Sequence, residues 1–298
     1  MSRRVKCPLI TVLGVVLVVM LVRTVPWLLR PARTDLSTEL FQGVTYIRHA
    51  RSTPRPLMIH IVEIDLSAPG IGFLVTPGDE SSGMDLHART TSAFAAEFGV
   101  GIAVNGSFFE PFRAGNFLWN YYPHSGDPVD VKGLAVSNGE TYSDDYVDSP
   151  VLCLSIDHAV IRHSGCPSGT SQALAGNMTL VEQGISTVHD GADTLHPRTA
   201  VAVNVQGGML WLIVVDGRQQ HYSEGVTLAE LADIALELEA ETVLNLDGGG
   251  SSTLVMTDRQ GTRLLNAPIH TRVPMRQRPV ANHLGVYALP VGKDGNQD

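Results

Sequence analysis

Near its start the chain carries an uncharged apolar run at residues 7–22, then Arg23, then a second apolar stretch at 24–29 that includes Trp27. The sixteen residues of the first run fall slightly short of the roughly 20 that cross a bilayer core. Arg23 can snorkel and Trp27 suits an interface, so the usable span runs on to Leu29. A cleaved signal peptide is the competing reading, but Arg23, Pro26 and Trp27 stand where its small-residue cleavage site would be. We therefore expect a single-pass signal anchor, one transmembrane helix, in residues 1–30. Residues 31–56, polar and dotted with Pro and Arg, read as a tether that enters a first strand. Residues 57–290 read as one domain outside the cytoplasm, and 291–298 as a disordered tail.

Within the domain the periodicity is mostly that of strands. Residues 57–66 (LMIHIVEIDL) alternate as a half-buried strand does. A helix is expected near 91–98, with Thr91 as N-cap and Gly99 at its stop, feeding a strand at 101–104. Strand-like pieces follow at 131–137 and 151–162, while the aromatic stretch 110–128 has no period. Two β-runs in 200–215 are joined by Gln206-Gly207-Gly208, a hairpin signal. Thr227 and Glu230 form a capping box that opens a helix to about Ala240, with Leu228, Leu231, Ile234, Ala235 and Leu238 on one stripe. Strands 242–247 and 252–257 flank a Gly-Gly-Gly turn. No internal repeat is found. The pattern predicts an α+β fold with a mixed, largely antiparallel sheet and a few helices.

Composition sharpens this only in places. Hydrophobic residues are 44% and charged residues 17% of 298, which is enough apolar material for a core and excludes a mainly disordered chain. The net charge is −9, but residues 1–30 carry +5 and no acid, leaving −14 on the rest. Nucleic acid is not the partner of so acidic a body. Cys153 and Cys166 lie 13 apart and would pair across a hairpin in an oxidising compartment; two unrelated thiols is the other reading. His158, His163 and His189 lack zinc-ligand spacing.

Three strands end alike: 102–104 in Asn105-Gly106, 212–215 in Asp216-Gly217-Arg218, and 244–246 in Asp247-Gly248-Gly249-Gly250-Ser251-Ser252. An Asx side chain at a strand end stands clear of the sheet, and glycines let a ligand approach the backbone. Asn245 and Asp247 share a face by the two-residue period. The competing reading is that each Asx-Gly is merely a turn. The Gly248, Gly249 and Ser251 region lacks the Lys of a nucleotide P-loop, yet its amides and hydroxyls could cradle one phosphate. Arg198, with Arg218 second, offers a guanidinium fork for phosphate or carboxylate. His196 is either an acid/base group or a polar cap.

The blocks NGSFF (105–109), ALAGNMTLVEQG (173–184), HPRTAVAV (196–203), VVDGR (214–218), SEGVTLAELADIALELEAETVLNLDGGGSSTLV (223–255) and RPVANHLGVYA (278–288) resemble the phosphodiester glycosidase family over roughly residues 95–290. The resemblance implies hydrolysis of a sugar-1-phosphodiester, such as an N-acetylglucosamine-1-phosphodiester, at the glycosidic C–O bond of a glycan or glycolipid. On the sequence alone, no cofactor is required. On this reading Asp247 and Asp216 are the carboxylates at the sugar. Arg198 and the amides and hydroxyls of Gly248, Gly249 and Ser251 hold the phosphate, Asn105 and Asn245 bond sugar hydroxyls, and Arg218 and His196 are further substrate-binding candidates. Two other classes compete: a glycan- or phosphate-binding module without turnover, and a metal-assisted phosphodiesterase that cuts P–O. For the latter, Asp216 and Asp247 would hold Ca²⁺ or Mg²⁺, though no D-x-D-x-D loop accompanies them.

Overall fold

The computed structural model describes residues 27–79, 81, 83–115, 120–144, 148–189 and 194–292. The largest sheet has eight strands, in the spatial order Leu36–Phe41, Val44–Arg51, Leu57–Asp65, Met209–Val215, Arg198–Val203, Thr242–Asn245, Met178–Glu182 and Ile185–Ser186. A five-stranded sheet runs Gly261–Leu264, Leu254–Asp258, Ile102–Asn105, His283–Tyr287 and Gly72–Val75. A second five-stranded sheet and two smaller ones come from residues 86–175 and 269–274.

All neighbouring strands within the two sheets just traced are antiparallel, which corrects the mixed sheet expected from the sequence. The reason lies in the hairpin at 206–208. The crossover through the helix Leu228–Leu236 does bring Thr242–Asn245 back parallel to Met209–Val215, but Arg198–Val203 is inserted between them and pairs antiparallel with both. The α+β assignment stands, with two described helices.

The layers follow from the alternation of side chains. Val62, Ile64, Val201, Leu212 and Leu244 face Ile102, Val104, Leu254 and Leu284 of the five-stranded sheet across a central core. On the other face of the eight-stranded sheet, Ile59, Ile61, Ala200, Ile213 and Val243 meet Leu231, Ile234 and Ala235 of the Leu228–Leu236 helix. The Thr91–Phe98 helix covers the outer face of the smaller sheet with Phe94 and Ala95 against Leu74, Ala103 and Val255. Leu57–Asp65 is thus buried on both faces for most of its length, not half-buried, because it lies in the middle of a helix–sheet–sheet–helix sandwich.

Local signals explain the helix ends. Thr227 and Glu230 form the full capping box. The helix stops at Leu236, short of Ala240, and Glu239 then adopts a left-handed φ of 57°. The N-cap of the first helix is Thr90 rather than Thr91, its hydroxyl accepting from the Ala93 amide, and Gly99 ends it at φ 64°. Residues expected as tether instead form the hairpin Leu36–Phe41 and Val44–Arg51 on the edge of the main sheet. Cys153 and Cys166 are joined by a disulfide beside the hairpin of Val151–Leu154 and Ala159–Arg162. The 7–22 run, and all but the first two residues of the 291–298 tail, lie outside the described residues; among those described, no helix is long and apolar enough to cross a membrane.

Candidate active site

The three Asx-bearing strand ends do meet at one edge of the sandwich, but the three side chains do different things. Asn105 is buried: its Nδ2 donates to the Asp247 carbonyl at 2.6 Å, and its Oδ1 accepts from Thr199 Oγ1 at 3.0 Å and the Thr253 amide at 3.1 Å. With both ends of its amide occupied, Asn105 is a strut that fixes the backbone of Asp247, not a contact for a sugar hydroxyl. Asp216 is buried as well. His60 Nε2 lies 3.0 Å from its Oδ2, while Asn266 Nδ2 and the Ala267 amide donate to its Oδ1 at 2.9 and 3.0 Å. His60 Nδ1 in turn lies 2.8 Å from the Tyr46 hydroxyl. Asp216 therefore closes a polar network at the end of the central core, because Val214 and His60 point inward by the same alternation that buries Val62 and Ile64. Asn245 is buried with its Nδ2 on Asn177 Oδ1 at 2.7 Å, and its Oδ1 has no hydrogen-bond partner among the described residues.

Asp247 alone of the three remains partly open, with 15% of its side chain exposed. Ser251 Oγ donates to its Oδ2 at 2.5 Å, Arg278 Nη1 donates to Ser251 Oγ at 3.0 Å, and Arg278 Nη1 stands 4.0 Å from the carboxylate itself. Burial pushes the Asp247 carboxyl above the usual aspartate range; Arg278, the Ser251 hydroxyl and Arg218 hold it back. The guanidiniums of Arg218, Arg272 and Arg278 border a cavity of about 600 Å³ together with His196, His270 and Trp27. Asp247 stands directly behind this cationic wall.

The glycine run is explained by what fills the space its missing side chains leave. A methyl group on Gly248 would come 2.9 Å from the Pro197 carbonyl oxygen, on Gly249 3.0 Å from Arg218 Nη2, and on Gly250 2.6 Å from Arg278 Nη2. Glycine here admits two arginines beside Asp247. Arg218 is also held by His196, whose Nδ1 accepts from Arg218 Nη2 at 3.1 Å while its Nε2 lies 2.8 Å from Thr194 Oγ1. Histidine with both ring nitrogens so engaged orients an arginine. Arg198, expected on the phosphate, donates from Nε to the Val226 carbonyl at 3.2 Å and from Nη2 to the Thr194 carbonyl at 3.1 Å, bracing the loop ahead of its strand.

Sequence reasoning missed Arg272, Arg278, His270 and His60. Arg278 opens the last of the family-like blocks, so that block was the available signal. His270 is buried among Tyr121, Arg276 and Arg278, and neither ring nitrogen has a hydrogen-bond partner among the described residues. Burial and the two arginines push it down to about 3, so it is neutral at ordinary pH. A second cleft of about 580 Å³ is lined by Asp79, Asp85 and Glu140 and has the wrong sign for a phosphate. Among the described residues no three His, Cys, Asp or Glu side chains come together as metal ligands would, and the oxygens of Asp216 are taken up by His60, Asn266 and Ala267.

The fold is shared with solved proteins of low sequence identity. The crystal structure of a hypothetical protein from Synechocystis superimposes with a TM-score of 0.65 at 15% identity, over 86% of this chain and 64% of that one. The chain thus spans under two thirds of that protein's length. The catalytic domain of zebrafish N-acetylglucosamine-1-phosphodiester alpha-N-acetylglucosaminidase, in a form auto-inhibited by its pro-peptide, superimposes with a TM-score of 0.59 at 19% identity, over 86% of each chain. No curated protein sequence matches the chain. The sequence model of the phosphodiester glycosidase family matches residues 98–287, well over half of the chain and inclusive of Asp247, Arg218 and Arg278, and the protein belongs to that family.

Proposed function

We propose that the protein is a membrane-anchored hydrolase, acting outside the cytoplasm, that cleaves a sugar-1-phosphodiester at the C1–O bond. The observation that carries this reading is one recessed carboxylate, Asp247, set behind Arg218 and Arg278 at an arginine-lined cavity. A phosphodiester carries one negative charge, and the phosphomonoester that departs carries close to two. Guanidiniums therefore hold the leaving group more tightly in the transition state than in the ground state, which is what lowers the barrier. The same departure leaves positive character at C1, which a carboxylate at Asp247 stabilises, by charge or by covalent capture, before water completes the hydrolysis. A stable phosphate anion needs little help from a general acid, so the site can work with one carboxylate at the reacting carbon. Asp216 acts through the scaffold in this scheme. The sequence run at 7–22 supplies the anchor.

The test is turnover of an N-acetylglucosamine-1-phosphodiester by the full chain in H₂¹⁸O. Label in the released sugar, with Asp247→Asn slower by roughly a thousandfold, is the expected result. Label in the phosphate would replace the reading by a P–O-cutting phosphodiesterase. Binding without turnover, on this and related sugar phosphodiesters, would leave a binding module.

A further inference from the structure

Trp27 is the first described residue, and it lines the same cavity as Arg218, Arg272 and Arg278. Its place is built, not incidental. The Arg30 guanidinium stacks over the Trp27 ring at 4.6 Å and over the Tyr222 ring at 4.2 Å, and its Nε donates to the Trp27 carbonyl at 3.0 Å. Tyr222 donates its hydroxyl proton to the Pro31 carbonyl at 3.0 Å, and Arg33 Nη2 donates to the Arg51 carbonyl at 2.6 Å. Tyr222 stands in the loop that begins with Asp216 and Arg218, so the N-terminal segment is clamped to the loop that carries one of the cavity's cations.

Beside Trp27, which is 44% exposed, Leu28 is 81% and Leu29 65% exposed. Three consecutive large apolar side chains in water, the first of them lining the cationic cavity and the third a separate recess beside Tyr46 and Arg263, call for an apolar cover. The length of chain ahead of them says what that cover is. Only residues 23–26 separate Trp27 from the uncharged run at 7–22. At no more than about 3.5 Å per residue, four residues reach about 14 Å. A cavity wall tied that closely to a membrane-spanning segment opens at headgroup level, where Trp and snorkelling Arg residues are at home. Phe112, 45% exposed, stacks 4.5 Å from the Arg278 guanidinium and offers a chain an apolar surface next to the phosphate-binding cation.

We infer that the aglycone is a membrane lipid: the substrate is a lipid-borne sugar-1-phosphodiester, and Leu28 and Leu29 rest on the bilayer that carries it. The inference rests on the glycosidase and anchor reading above. Water adds its hydroxyl to C1 and gives up its proton, the C1–O bond breaks with its electron pair passing to the phosphate oxygen, and the lipid phosphomonoester stays in the membrane while the sugar leaves in water.

The experiment uses the full chain reconstituted in phosphatidylcholine vesicles and two esters of N-acetylglucosamine-1-phosphate that differ only in aglycone, a water-soluble methyl and a bilayer-embedded hexadecyl. The hexadecyl ester is expected to show kcat/KM about tenfold or more above the methyl ester. Leu28→Ser/Leu29→Ser, which keeps the 7–22 run, should remove most of that advantage and leave methyl turnover unchanged; methyl turnover also reports that the variant is folded. Equal rates for the two esters, a faster methyl ester, or a variant that slows both alike would overturn the lipid assignment while the glycosidase reading stands. No turnover of either ester would overturn both.

Discussion

Gly250→Ala isolates the steric role of the glycine run from everything else at the site. Gly250 has no left-handed φ, unlike Gly249 at 65°, so alanine fits its backbone without strain. The added methyl, however, would stand 2.6 Å from Arg278 Nη2, 2.9 Å from Cζ and 3.1 Å from Nε. Ordinary contact is about 3.5–4.0 Å, so the guanidinium must retreat by about 1 Å. Its bond to Ser251 is already 3.0 Å long and does not survive such a shift. A hydrogen bond to a charged group contributes about 1.5–3 kcal/mol, which translates to a fall of roughly ten- to 150-fold in kcat/KM. Stability should hardly change, because Gly→Ala at a compatible position gains about 0.4–1 kcal/mol through the unfolded chain. Steady-state hydrolysis of a sugar-1-phosphodiester and a urea melt measure the two effects on one preparation. The cycle with Arg278→Ala makes the test specific: with the arginine gone, Gly250→Ala should cost almost nothing further. Wild-type kcat/KM in Gly250→Ala, or losses that simply add in the double variant, would refute the assignment of Gly250 as space for Arg278.

Asp216→Asn should act on stability and spare chemistry. An amide there turns an NH₂ toward the donors His60, Asn266 or Ala267, leaving a buried donor unsatisfied at about 1–3 kcal/mol. Urea unfolding should register that loss with kcat per folded molecule near wild type; a large fall in kcat at unchanged stability would return Asp216 to the chemistry. A pH effect follows from His270 and His283, both pushed down to about 3 from an ordinary 6.5 by burial. Between those values the unfolded chain takes up protons that the folded one refuses, so their contribution is full above pH 6.5 and shrinks as pH falls toward 3. His270→Gln should lose less stability than wild type between pH 7 and about 4.5; identical losses would remove His270 from the account.

The strand at 57–65, both helix-to-strand units and the 206–208 hairpin were legible because each is set by local signals: alternation, a capping box, a left-handed glycine; the edge strands Leu36–Phe41 and Val44–Arg51, polar and dotted with Arg, carried no such signal. What periodicity cannot carry is which strand lies between two others. Nothing in residues 198–245 reports that the crossover spans an inserted neighbour, and so the sheet was expected to be mixed. The same limit governs the site. That 105, 216 and 247 end strands at one edge could be read from three Asx-Gly pairs. Whether each side chain points inward or outward depends on the face its strand buries, and only the packing of two sheets against each other fixes that. Asp216 follows Val214 into the core; Asp247 lies past the last paired residue of its strand and escapes. Arg278 lay beyond the reach of spacing, since it is 31 positions from Asp247 in sequence and meets it across the folded site, at 4.0 Å and through Ser251.

The glycines at 248–250 change meaning once the arginines are placed. A glycine-rich turn beside two serines suggests backbone amides presented to a phosphate. Here the space without side chains is filled by the protein's own cations, and Ser251 is engaged with both Asp247 and Arg278. Recognition by guanidinium rather than by amide matters for a domain whose body carries a formal −14 outside its first 30 residues. Such a body repels anions at long range, and amide dipoles alone would act only at contact. Three arginines gathered at one cavity reverse the sign of the field locally, and the low-dielectric walls of a recess concentrate it. The same arginines act on Asp247: desolvation pushes its carboxyl up, and Arg278 at 4.0 Å and Arg218 oppose that push. Phosphate binding and the charge state of the carboxylate thus rest on one pair of cations, and a substitution at either arginine disturbs both.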